Sequence, residues 1–245
     1  MEREKMERGK SELRMAIEDL SLPSSGDGEY QEQQGKIRRS STMDLLCVSN
    51  QLLRVLDAIG PTLLVLRQDI QQNVQRLQDL HARDSSQYRL QDLHARDSLK
   101  YASLTAMVTK EVVEGTSKKT NSCARAIIWL ARSVNFSIHL LEGLVKNSES
   151  SLQEMVEEAY KSTLKPFHGW ISSAAYKVAL CLIPERDIFI QLLMGSCQDP
   201  GYFGEDVMVL VSIAQPLLEE INAILVGVPD YAHAHILNET VTALH

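Results

Sequence analysis

The segment PTLLVLRQDIQQNVQRLQ, residues 61–78, carries apolar side chains at Leu63, Leu66, Ile70, Val74 and Leu77. On a helix turning about 100° per residue these fall on one stripe centred about +100° from Asp69, while Gln68, Gln72 and Gln75 take the far side. The spacing predicts an amphipathic helix. The same period of about 3.6 residues recurs from Met43 onward, without strand-like alternation or an Asn-Gly hairpin signal. The expected fold class is all-α. Breaks at Gly60-Pro61, 114–122, 146–150, Pro184 and 198–204 separate about seven or eight helices.

A chain of 245 residues with 44% apolar content can bury one sizeable core. Its net charge of −7 argues against nucleic acid as a partner, because that affinity comes largely from Lys and Arg set against phosphates. Cys47, Cys123, Cys181 and Cys197 lie far apart with no C-x-x-C pair and no His at metal-ligand spacing. They read as reduced core thiols, and neither a metal nor another cofactor is expected. The start MEREKMERGK is charged, and no uncharged apolar run reaches the roughly 18 residues of a membrane span. A soluble, cytoplasmic chain is expected.

Residues 1–42 are polar and charged and read as a mobile tail, although Leu13, Ile17 and Leu20 stand at helical spacing and predict a short helix there. The domain is expected over 43–229, with a second tail over 230–245. Within the domain RLQDLHARDSSQY (76–88) is followed at once by RLQDLHARDSLKY (89–101). Two copies make no solenoid. An insertion of 13 residues turns whatever follows by about 220° on a continuous helix, so the extra copy is expected to protrude as a helical extension or loop.

Three clusters could carry chemistry. Asn73 at about +40° and Arg76 at about −20° share a stripe with Asp69, at the rim of the apolar face. They form either a solvated helix flank or a carboxylate, an amide and a guanidinium converging on a hydroxyl-rich ligand. In CARAIIWLARSVNF (123–136), Arg125, Trp129, Arg132 and Phe136 fall within about 60° of one another. The indole there is either a boundary residue covered by arginine stems or a platform for an apolar sugar face. In KPFHGWISS (165–173), His168 and Trp170 would lie about 200° apart if both were helical, so they would serve different surfaces. No G-x-S-x-G elbow, P-loop, G-x-G-x-x-G or H-E-x-x-H occurs, and the Asp69/His168 pair lacks a nucleophile, so the chain is not expected to be an enzyme.

Taken in order, DIQQNVQR (69–76), WLAR (129–132) and AYKSTLKPFHGWISSAAYKVALCLIP (159–184) resemble the glycolipid transfer protein family over roughly residues 43–229. The resemblance implies a two-layer α-helical sandwich enclosing a hydrophobic lipid pocket. It also implies non-enzymatic binding and intermembrane transfer of a sphingolipid by a monomer that touches membranes transiently and peripherally. Asp69, Asn73 and Arg76 would match the family's Asp-x-x-x-Asn-x-x-Lys headgroup pattern, with arginine in place of lysine. Trp129 would stack on the first sugar, His168 would donate to the amide carbonyl, and Trp170 would dock on the bilayer. A related branch carries ceramide-1-phosphate and has Lys at the position of Asn73 and Arg at that of Trp129. Both positions are glycolipid-type here, but Arg125 matches an arginine of that branch and is a possible contact for an anionic headgroup. The alternatives are therefore a ceramide-1-phosphate-type carrier and a lipid-sensing or helical interaction protein without efficient transfer.

Overall fold

The computed structural model describes residues 10–21, 30–33, 36–39, 41–59, 64–91, 103–195, 197, 201–228 and 231. Among them are nine α-helices: α1 (Glu12–Ser21), α2 (Ser41–Ile59), α3 (Leu64–Gln91), α4 (Leu104–Val113), α5 (Cys123–Lys146), α6 (Leu152–Thr163), α7 (Trp170–Leu180), α8 (Arg186–Met194) and α9 (Gly201–Val226). The fold is the expected all-α sandwich. An antiparallel pair, β1 (Tyr30–Gln33) and β2 (Lys36–Arg39), lies ahead of α2, in the stretch read as a tail.

The centre is α5. Fifteen of its 24 residues are buried, on every side of the helix, so neighbours must cover it all round. Those neighbours are α2, α3, α4, α6 and α9. Its start is fixed by chemistry at the free N–H groups: Ser122 caps Arg125, and the Glu111 carboxylate accepts from the N–H of Cys123 at 2.6 Å and of Ala124 at 2.9 Å. Two orphan donors are satisfied and a negative charge meets the positive end of the helix dipole.

Two boundaries move. The segment 1–42 is not wholly a tail, because α1 buries Leu13, Ala16 and Ile17 against α2, α8 and α9. Asp206 of α9, 1% exposed, accepts from the Ser11 hydroxyl at 2.7 Å, and Arg14 pairs with its other oxygen at 2.5 Å. At the far end Tyr231 is buried and its hydroxyl donates to the Ser117 carbonyl, so the packed body reaches past 229. The rest of 230–245 and residues 92–101 of the second repeat copy lie outside the described residues, as does the Gly60-Pro61 break.

Helix α9 is long and apolar enough to cross a membrane by length and composition. Packing accounts for part of that character, since Phe203, Val207, Ala214, Leu217, Leu218, Ile221 and Leu225 are buried. Of the four cysteines only Cys123 is buried, Cys47 and Cys197 are half-buried and Cys181 is exposed, which corrects the expectation of core thiols.

Candidate functional site

Helix α3 runs unbroken from Leu64 to Gln91, so Arg76 stays in helical phase with Asp69. Asn73 is 6% exposed; its amide donates to the main-chain oxygen of Asp69 at 2.9 Å, and its oxygen accepts from the Arg76 guanidinium at 3.1 Å. The amide thus holds the arginine at the rim of the apolar face. The Asp69 side chain is open to solvent on one side and crowded by protein on the others. That desolvation raises its pKa above the ordinary aspartate value, against the opposing pull of His168 and Arg76.

Helix α5 supplies the aromatic wall. Trp129 is half-buried, with Arg125 half-buried one turn before it. Arg132, 7% exposed, lies over the Trp129 ring at 5.1 Å and over the Phe167 ring at 3.4 Å. Burial pushes its pKa down to about 10, and its Nε has no hydrogen-bond partner. The cation is held by two ring faces.

His168 arrives by a turn. Helix α6 starts at a Ser151/Glu154 capping box and ends at Thr163, and the chain then tightens into a 3₁₀ turn at Lys165–Phe167 containing Pro166. His168 itself is extended, at φ −85 and ψ 128, and α7 begins only at Trp170. The premise that His168 and Trp170 share one helix is therefore wrong, yet the two do face apart. The His168 ring packs toward Trp129, centroids 5.4 Å apart at 34°, whereas Trp170 is 82% exposed. Gly169, at φ −73, has an ordinary backbone, so the tight start does not demand glycine.

Burial lowers the His168 pKa; the Asp69 charge opposes this and the Arg132 charge adds to it. The ring is thereby kept neutral near pH 7. On its other side Nδ1 lies 3.2 Å from the Tyr160 hydroxyl, and Tyr160 stacks face to face on Tyr176 of α7 at 3.5 Å and 6°. Sequence reading placed Arg132 beside Trp129, as the structure has it, but missed Tyr160, Tyr176 and Phe167. Their only signal was aromatic density within 160–176.

The helices of the site also border an apolar seam. Leu66 of α3 and Val134 and Phe136 of α5 line a cavity of about 110 Å³ with Leu13 and Ala16 of α1, Leu52 of α2, Phe189 of α8 and Ala214 of α9. Two of the six helices that line the seam, α3 and α5, also carry Asp69 and Trp129. Beside Arg76 opens a second concavity of about 460 Å³, lined by Gln72, Gln75, Asp79, Leu80 and Asn121. Farther round, α7 has no buried residue, and Ile171 and Val178 stand 65% and 64% exposed.

A neutral imidazole, with a carboxylate and an indole on helices that also line an apolar seam, suits a binding protein for an amphipathic ligand. The chain belongs to the glycolipid transfer protein family, whose model matches residues 40–195. Glycolipid transfer protein 3 of Arabidopsis thaliana is 37% identical over 218 residues, 88% of either chain. A solved structure from a study of how FAPP2 selects simple glycosphingolipids using the GLTP-fold superposes with a TM-score of 0.62 at 20% identity, covering 87% of this chain and 94% of that one. The apo form of mouse ceramide-1-phosphate transfer protein superposes at 0.59 and 22% identity, covering 94% and 99%.

Proposed function

We propose that the protein binds a sphingolipid, preferably a glycosphingolipid, and carries it between membranes without covalent chemistry. The observation that carries this reading is His168 packed toward Trp129 within reach of the Asp69 charge, on a site whose helices α3 and α5 also line an apolar seam. A carboxylate accepts and a neutral imidazole donates, which matches the N–H and C=O of a lipid amide. Trp129 offers an apolar face to a sugar, and Arg76, steadied by the buried Asn73, presents a donor edge to its hydroxyls. The polar concavity beside Arg76 leaves room for a headgroup larger than one phosphate.

Exposing a lipid chain costs about 0.8 kcal/mol per CH₂, so desorption without a carrier meets a barrier on the order of 10 kcal/mol per chain. A dry seam removes that barrier. Selectivity then falls to the headgroup, where each buried polar group left unpaired costs about 1–3 kcal/mol. Trp170 and Ile171, exposed at the start of α7, would seat the protein on the bilayer. The working form is a cytoplasmic monomer that meets membranes transiently.

One observation favours a second reading: Arg132 is a buried cation with an unpaired Nε, and Arg125 is close by in sequence, so an anionic headgroup such as that of ceramide-1-phosphate would find charge here. Transfer assays with glucosylceramide and ceramide-1-phosphate side by side, with mass spectrometry of co-purified lipid, separate the two. Faster transfer of the phosphate would sink the glycolipid reading. No transfer and no bound lipid would leave a helical interaction protein.

A further inference from the structure

We infer that Tyr160 is a positioning residue that fixes His168 as the tautomer with its proton on Nε2, so that the ring presents a donor to the ligand. The inference rests on the reading of His168 as a headgroup contact. Tyr160 is 4% exposed, and its hydroxyl lies 3.2 Å from His168 Nδ1 and 3.4 Å from Ser173 Oγ. A phenol has one proton to give. It is a better donor than a neutral imidazole N–H, and the imidazole nitrogen is a far better acceptor than a phenol oxygen. The favoured arrangement therefore has Tyr160 donating to Nδ1, with the Ser173 hydroxyl able to donate in turn to the phenol oxygen.

Once Nδ1 accepts, the neutral ring must carry its proton on Nε2. The opposite tautomer would make Nε2 an acceptor, in a site where the Asp69 carboxylate already accepts. The site would then hold two acceptors and could not match both halves of an amide. The groups around the ring keep it neutral, since Arg132 opposes protonation and burial does the same, against the charge of Asp69. Tyr160 is itself held in place by its stack on Tyr176, whose hydroxyl has no hydrogen-bond partner. That phenol therefore serves as a ring face, and Tyr160 alone supplies the directing hydroxyl to Nδ1.

Long-range ¹H–¹⁵N NMR of the lipid-free protein at about pH 8, where imidazole is neutral, reads the proton position directly. The wild type should show Nδ1 bare and Nε2 protonated. Tyr160→Phe, which keeps the stack, should shift the two nitrogens toward an averaged mixture and weaken glucosylceramide binding about 3- to 10-fold, as loss of one hydrogen bond would. Tyr176→Phe should leave the His168 spectrum as it is. A wild-type proton on Nδ1, or an unchanged spectrum in Tyr160→Phe, overturns the inference. So does an averaged spectrum with binding unchanged, because the tautomer would then not matter to the ligand. If the wild type binds no sphingolipid at all, the functional reading fails, while the spectrum still decides the tautomer.

Discussion

At the scale of single residues, Arg132 is a charge kept in the interior by two aromatic faces. Replacing a buried charge by an apolar side chain of similar size is often neutral or stabilising, whereas a compact ammonium there would lose the planar stacking. Arg132→Met should therefore unfold in urea within about 1 kcal/mol of the wild type, and Arg132→Lys about 1–2 kcal/mol earlier. In Arg132→Met the His168 pKa should also rise, because a positive neighbour is gone. Acidification tests the two titrating groups with opposite signs. The lowered His168 pKa means that, below about pH 6.5, the unfolded chain takes up a proton the folded chain refuses, so this group costs stability as pH falls. The raised Asp69 pKa means that the folded chain takes its proton first, so protonation there favours folding but removes the acceptor. Glycolipid binding should accordingly fade on acidification above the ordinary aspartate value of about 3.9, and vesicle-uptake assays should find that loss flattened in Asp69→Asn. The helix faces of Asp69, Asn73 and Trp129 were legible in sequence because regular helices carry them, whereas their roles came only from the family resemblance. Tyr160 was not, since its partner is reached through a 3₁₀ turn that breaks the helical phase.

Among the elements, α7 differs from its neighbours in having no buried residue, and its packing includes the stack of Tyr176 on Tyr160. An exposed indole contributes little to folding but much to binding at a headgroup interface. Trp170→Ala and Ile171→Ser should leave the melting temperature unchanged while cutting binding to phosphatidylcholine vesicles several-fold. An equal loss in both measurements would make α7 part of the core. The 13-residue duplication acts on α3, which runs through the whole first copy and keeps Asp69 and Arg76 in phase. Deleting residues 89–101 should shift stability by less than about 1 kcal/mol and spare lipid uptake, because extra length in a connection costs little. The wheel for His168 and Trp170 gave the right separation from a wrong premise: the pair is split by a helix start, and the opposed directions come from burial beside Trp129 on one side and solvent on the other.

For the molecule as a whole, the governing fact is that the apolar seam is narrow, at about 110 Å³. Pockets that engulf small ligands usually run from about 300 to 1,000 Å³, so lipid chains can enter only if the helices part. Periodicity could predict apolar faces but not how far apart they stand, because that depends on side chains meeting across helices distant in sequence. One such contact is the clamp on α1, which sequence spacing identified as a helix without its partner. Leu13 and Ala16 line the seam, and α1 is tied to α9 by Ser11 and Arg14 on the buried Asp206 carboxylate. Removing that carboxylate strands a hydroxyl in the interior and leaves Arg14 without its partner, although Arg14 is partly exposed and can turn to water. Asp206→Ala should thus cost about 2–3 kcal/mol in denaturant unfolding. Hydrogen exchange should speed up at Glu12–Ser21 before it does in α5, since a short helix held by three apolar side chains and one buried carboxylate opens locally while the central helix opens only with the whole fold. If α1 also closes the seam, the same variant should take up an apolar dye that the wild type excludes. Protection of α1 equal to that of α5 in the variant would show that its apolar face alone holds it down.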